Sequence, residues 1–252
     1  MYTENVLSRF GGELNESTHL AAVLRPVRAG NAFEETVERL LQAIKLGMVT
    51  EKLPPERELA ARLGISRVTL REAIRALQEA GYLDVRRGRY GGAFVTYVPP
   101  PPSQGDLRRA VADMGTDDLA DALTFRMAVE CGAAQVLAAA GIDGERRDTL
   151  RRRLREVNSA GPDDYRRLDT AFHLAIAELT GSSLLAAACA DARLRVTDLL
   201  NAIPVLQRNI QHAAAQHEAI VAAVLAGDPD AARRAVAEHL EGTAALLRGF
   251  LA

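Results

Sequence analysis

This chain has no tryptophan, only 4% aromatic residues, and two cysteines, Cys131 and Cys189. Each cysteine sits in an alanine-rich, helix-forming stretch, where a small buried thiol is the default. Two such residues exclude a disulfide framework and a cysteine-based zinc site. No apolar run approaches the ~18 residues that a membrane span needs. The N-terminus lacks the basic stretch and apolar run of a secretory signal, so a soluble, cytoplasmic protein is expected. An excess of one charge is missing too: 31 Lys+Arg face 33 Asp+Glu, a net charge of −2. That total argues neither for nor against nucleic acid, so the distribution along the chain has to decide. What remains is rich in Ala, Leu and Arg, which favours helix over sheet. The 252 residues suffice for two modest domains, each with its own core.

Residues 1–30 are weakly periodic and read as an N-terminal arm. Apolar positions 33, 37, 40, 41 and 44 predict a helix from Phe33 to Leu46 that stops near Gly47. "LPPERELAARLG" predicts a second helix, with Pro55 in its first turn and Gly64 at its end. "ISRVTLREAIRALQEAG" predicts a third, capped by Ser66 and stopped by Gly81. "YLDVRR", a "GRYGG" turn and "AFVTYV" predict a two-stranded hairpin. "PPPPSQG", residues 99–105, favours extended polyproline geometry and reads as a linker between domain 31–98 and domain 106–252. Beyond it the chain predicts helices at 106–114, 117–140, 144–158, 162–180, 183–202, 206–226 and 229–250, with breaks at Gly and Pro. Short connections between so many helices imply an antiparallel bundle. The expected fold is mainly α, a winged helix-turn-helix followed by an all-helical domain.

Charge is uneven across these parts. Arg57 to Arg89 holds eight arginines against four acids, while Asp106 onward holds 17 against 21. In the third helix Leu70, Ile74 and Leu77 point into a core, and Val68, Arg71 and Arg75 lie away from it. Arg67 opens the helix beside its cap. Two short helices joined by a glycine turn, the second with arginine at its exposed start, describe a helix-turn-helix. Its start would enter a major groove, where arginine pairs with guanine O6 and N7. Arg86, Arg87 and Arg89 around Gly88 would form a wing against phosphates or the minor groove. The stretch from Leu53 to Val95 resembles the winged helix-turn-helix of the GntR family of bacterial regulators, through its Leu-Pro start, Arg-Glu-Leu-Ala helix, Ser-Arg-x-x-x-Arg-Glu-Ala helix and glycine-rich wing. The resemblance implies that Arg57, Arg67 and Arg71 contact DNA, with Ser66 and Thr69 on the backbone and Gly88 at the wing tip. Arg87 stands where family members often carry a polar wing residue.

The second half holds "LDTAFHLAIAEL", in which Asp169 and His173 lie four apart on one side of a helix. Alone, this is as consistent with a surface pair as with part of a metal site. His217 and His239 fall on two further predicted helices, both flanked by apolar positions. An antiparallel bundle could turn all three rings inward beside Asp169, a suitable donor set for Zn²⁺, Ni²⁺ or Mn²⁺. His212 is about 140° around the helix from His217 and is left out. The region 106–250 resembles the FCD-type effector domain of the FadR branch of the GntR family, through "LDTAFHLAIAELTGS", "QHEAIVAAV" and "AEHL". That resemblance implies a divalent metal on Asp169, His173, His217 and His239, and a small carboxylate effector bound at it. "FRMAVE" matches the family's first long effector helix, so Arg126 is a candidate second clamp on the carboxylate, unless it only forms a helix-surface pair with Glu130. One departure is Ser182, where the family often has Asn; serine still caps the following helix.

The expectation is therefore a homodimeric, ligand-responsive regulator that binds a pseudo-palindromic operator in double-stranded DNA, not an enzyme and not a membrane protein. Two alternatives stay open. A three-histidine, one-carboxylate site can activate water, which would make the chain a metal-dependent enzyme fused to a DNA-binding domain, although no H-E-x-x-H-like motif supplies a base. A purely structural metal is the other.

Overall fold

The computed structural model describes residues 23, 24, 27, 32–88, 90–114 and 116–251. Most of the arm 1–30, Arg89 and Gly115 lie outside the described residues. Helix α1 (Ala32–Lys45) buries Leu40, Ala43 and Ile44. It ends at Gly47, whose φ of +67° favours glycine. Helix α2 (Glu56–Leu63) closes on Gly64 in the left-handed conformation, as expected. Pro55 is its N-cap rather than a first-turn residue, because Pro55 keeps an extended ψ of 136°. Helix α3 (Arg67–Glu79) starts at Ser66, whose side chain accepts a hydrogen bond from Thr69 N at 3.0 Å. Leu70, Ala73, Ile74 and Leu77 pack inward, while Arg67, Val68, Arg71 and Arg75 stay exposed.

Strands β1 (Leu83–Arg86) and β2 (Gly92–Val95) pair antiparallel, with Leu83 opposite Val95 and Arg86 opposite Gly92. The chain before α2 extends this wing: Leu53 N donates to Ala93 O and Val95 N to Glu51 O, both at 2.9 Å. Arg86 and Lys52 stack their cationic heads over Phe94, at 4.5 and 5.2 Å from the ring centre.

The polyproline stretch is shorter than its expected span. Helix α4 (Gln104–Met114) begins inside 99–105, because Ser103 serves as a cap: Leu107 N donates to Ser103 O at 3.0 Å, and Asp106 N to its hydroxyl at 3.4 Å. Then follow α5 (Thr116–Ala140), α6 (Gly144–Asn158), α7 (Pro162–Leu179), α8 (Ser183–Asn201), α9 (Gln207–Ala226) and α10 (Pro229–Leu251). Where they border the glycine and proline breaks, their ends fall within three residues of them. Ser182 caps α8 through Leu185 N at 3.2 Å. Helix α5 packs against α8 and α10, α7 against α6 and α8, and α9 against α10 and α6. Phe172, Leu137, Leu150, Leu174, Val224 and Leu240 are buried between them, each contributing roughly 1.5–3 kcal/mol. None of the described helices is long and apolar enough to cross a membrane.

The two halves dock through α1 and α8. Gln42 Nε2 donates to Asp191 at 2.9 Å, and Lys45 pairs with Asp198 at 2.8 Å. Seven residues apart, Asp191 and Asp198 lie on one face of α8, two turns from each other. Gly47 meets Arg167 of α7 so closely that a Cβ there would lie 2.8 Å from Arg167 Cγ.

Candidate DNA-reading face and metal centre

On the N-terminal half, Arg57, Arg67 and Arg71 are exposed at the start of α2 and along the first turns of α3, and Arg87 and Gly88 at the tip of the hairpin. Gly88 has a φ of +103°, which a side chain would strain. Val68 is 65% exposed between Arg67 and Arg71, an apolar residue placed where no core reaches it. Arg71 is ion-paired: its Nε donates to Glu56 at 2.8 Å. Both partners are about half exposed, so the pair is worth at most ~1 kcal/mol and yields readily to a phosphate. Ser66 and Thr69 hydroxyls lie 2.9 Å apart, which orders the helix start.

In the bundle, α7 contributes Asp169 and His173, α9 His217 and α10 His239. Asp169 Oδ1 lies 3.7, 3.3 and 3.8 Å from Nε2 of His173, His217 and His239. One ligand atom from each of the four residues falls within 4.8 Å of all the others. Donors about 2.1 Å from a common ion sit roughly 3–3.4 Å apart when adjacent, so the spacing suits a divalent metal with slight contraction. His173 Nε2 and His217 Nε2 are buried without a hydrogen-bond partner. Leaving such atoms unpaired is costly, and a cation between them and Asp169 would satisfy both. His212 is exposed, in keeping with its omission.

The ring orientation is set from outside. His173 Nδ1 is 2.9 Å from Glu130, and His239 Nδ1 is 3.2 Å from Gln216 Oε1, which leaves Nε2 of each turned toward Asp169. Burial, with Arg193 next in weight, lowers the His173 pKa; burial and then His173 lower that of His239 further. Both shifts favour the neutral ring, the form that binds metal. Burial alone would raise the Asp169 carboxyl, but the Arg193 guanidinium holds it well below the usual carboxylate range.

Arg193 of α8 was not singled out from the sequence. It is buried, donates to Glu130 at 3.0 Å and to Asp169, and lies 3.5 Å from Thr170 Oγ1. Its signal was available: Arg193 interrupts the apolar series Cys189, Val196, Leu200 at helical spacing, and a charge on a buried face needs a partner. Arg126 does pair with Glu130, Nε to Oε1 at 2.7 Å, but both are 3% exposed or less, so this is no helix-surface pair. Glu130 thus receives Arg126, Arg193 and His173. Burial would raise its carboxyl; Arg193 and Arg126 outweigh that and keep it ionised. Glu218, the acid next to His217, is exposed and reaches Asn158 at 3.4 Å, away from the centre.

A cavity of about 690 Å³ opens on this cluster. Arg126, Asp169, Arg193 and His239 line it, as do Lys45, Gly47 and Pro99–Pro102. The same space therefore touches the histidine centre, the linker and the end of α1.

Residues 33–95 match the family described as bacterial regulatory proteins, gntR family, and residues 121–242 match the FCD domain. An Escherichia coli (strain K12) protein described as a regulator of the L-lactate dehydrogenase operon is 29% identical over 247 residues, 90% of each chain. The transcriptional repressor NanR of the same strain is 31% identical over 229 residues, covering 86% of this chain and 83% of NanR. Among solved structures, Escherichia coli McbR/YncC superposes with a TM-score of 0.52 at 20% identity, over 88% of this chain and 99% of that one, a likeness of fold.

Proposed function

Because the chain belongs to the GntR family of bacterial transcription regulators and carries an FCD domain, we propose that it is a cytoplasmic, homodimeric regulator whose hold on a pseudo-palindromic operator is set by a small carboxylate sensed at a metal centre. The families and relatives it matches are regulators of transcription, not enzymes.

On DNA, the start of α3 enters the major groove, with Arg67 and Arg71 on base edges and phosphates. Arg57 neutralises a phosphate, Ser66 and Thr69 hold the backbone, and Arg87 with Gly88 reaches the adjacent groove. A dimer presents two such faces to two half-sites.

The observation that carries the sensing half is the pair of unpartnered buried nitrogens, His173 Nε2 and His217 Nε2, beside Asp169 at the wall of the cavity. Asp169, His173, His217 and His239 would hold Zn²⁺, Ni²⁺ or Mn²⁺. When bound, the ion supplies open positions for a carboxylate oxygen. Glu130 orients the His173 ring, and Arg193 orients Asp169. Arg126, its Nε on Glu130, offers its remaining nitrogens to the ligand. The relative described as acting on the L-lactate dehydrogenase operon fits a carboxylate effector.

Coupling runs through α8. Arg193 faces the centre, while Asp191 and Asp198 on the same helix hold Gln42 and Lys45 of α1. A ligand that redistributes the partners of Arg193 biases α8, and so the seat of the DNA-reading half. Only a difference in affinity between two arrangements shifts that balance. The test is elemental analysis of purified protein with a thermal-shift screen of small carboxylates. Near-stoichiometric metal and stabilisation by a carboxylate support the reading. Metal-free protein that takes up none of the three ions contradicts it.

A further inference from the structure

Five lysine or arginine side chains line the cavity beside the histidine centre: Lys45, Arg126, Arg166, Arg167 and Arg193. Four have a carboxylate partner. Lys45 pairs with Asp198 at 2.8 Å, Arg126 with Glu130 at 2.7 Å, Arg167 with Asp164 at 2.8 Å, and Arg193 with Glu130 at 3.0 Å. Arg166 has none within ion-pair distance among the described residues. One of its terminal nitrogens donates to the Ile203 carbonyl at 3.1 Å.

A partly buried guanidinium with only a backbone carbonyl for company gives up hydration without a countercharge. Burial pulls its pKa down, with Asp169 acting in the opposite sense. Asp169 is committed elsewhere: its Oδ2 accepts from Arg193 and its Oδ1 faces the three rings. Arg166 also lines the adjoining cavity of about 560 Å³, so it stands where the two spaces meet. It precedes Asp169 by three residues on α7, roughly one helical turn or ~4.5 Å of rise, which keeps both on one side of the helix.

We propose that Arg166 is a second anion subsite, and that the effector carries acidic groups at both ends: a short dicarboxylate with one carboxylate at the histidine centre and the other on Arg166. The inference rests on the reading in which a carboxylate binds at that centre. It deepens it by naming what fills the remainder of a cavity far larger than a two- or three-carbon acid. A guanidinium takes a carboxylate through two parallel hydrogen bonds, which gives direction as well as charge.

The experiment is calorimetric titration of metal-loaded protein with succinate, glutarate and adipate, each against the monocarboxylate of equal length: butyrate, valerate and hexanoate. At least one dicarboxylate binds ten-fold or more tightly than its match. Arg166→Gln brings that ratio to within about two-fold with metal content unchanged, and Arg166→Lys keeps part of it. Equal binding of paired mono- and dicarboxylates by the unaltered protein overturns the subsite and leaves carboxylate sensing standing. So does a ratio that survives in Arg166→Gln. If the metal-loaded protein binds none of the six, the carboxylate reading falls and the subsite with it.

Discussion

Helix α3, the proposed DNA reader, carries Arg67, Val68 and Arg71 within five residues, all exposed, on a helix start fixed by the neighbouring Ser66. The histidine centre draws four side chains from α7, α9 and α10, buries the three rings, and leans on Glu130 of α5 and Arg193 of α8. The first is local in sequence and open to water; the second is assembled at long range and largely buried. Single changes should therefore cost function without stability in the first region, and both together in the second.

The largest effect is expected at Glu130. Glu130→Gln leaves the buried guanidiniums of Arg126 and Arg193 short of a countercharge, at a cost of about 3–5 kcal/mol. Melting should fall by roughly 6–20 °C for a chain of this size. An unchanged melting temperature would break the distinction between the two regions. Arg67→Ala should weaken specific operator binding by about 1–3 kcal/mol, roughly 5- to 150-fold, with melting and helix content unaltered. Unaltered operator affinity removes Arg67 from the readout. His217→Ala should lose most bound metal and the response to carboxylate, as measured by elemental analysis and thermal shift. Full occupancy in that variant identifies the wrong ring. Arg57→Ala should weaken specific and random DNA alike and lower the salt slope by about 1. Smallest is Lys45→Ala, an exposed pair with Asp198 worth at most ~1 kcal/mol. It should leave stability and metal binding nearly unchanged yet reduce the effect of ligand on DNA affinity.

The same contrast explains what could be read without coordinates. Helix limits in the bundle were legible because Gly161-Pro162, Gly181, Pro204 and Gly227–Pro229 mark them, and the Ser66 and Ser182 caps follow from local hydrogen-bonding chemistry. The exposed arginines of α3 follow from one helical period. Asp169, His173, His217 and His239 could be grouped through their sequence motifs, but not Arg193, which has no motif and whose partners lie 63 and 24 residues away. Burial of the Arg126–Glu130 pair was invisible too, since i,i+4 spacing looks the same on a wet face and a dry one. Docking of α1 on Asp191 and Asp198 spans about 150 residues of chain and leaves no periodic trace. Ser103 as a helix start was masked by the run of prolines before it.

The central claim is that occupancy of the histidine centre and affinity for DNA are linked. The most direct measurement is operator affinity, by fluorescence anisotropy, across a carboxylate titration of metal-loaded and chelator-treated protein, using a carboxylate that stabilises the loaded form. The account predicts a change of about 5- to 150-fold, the usual range of coupling between two sites, in the loaded protein alone. An equal change after chelation, or none in the loaded protein, would contradict it.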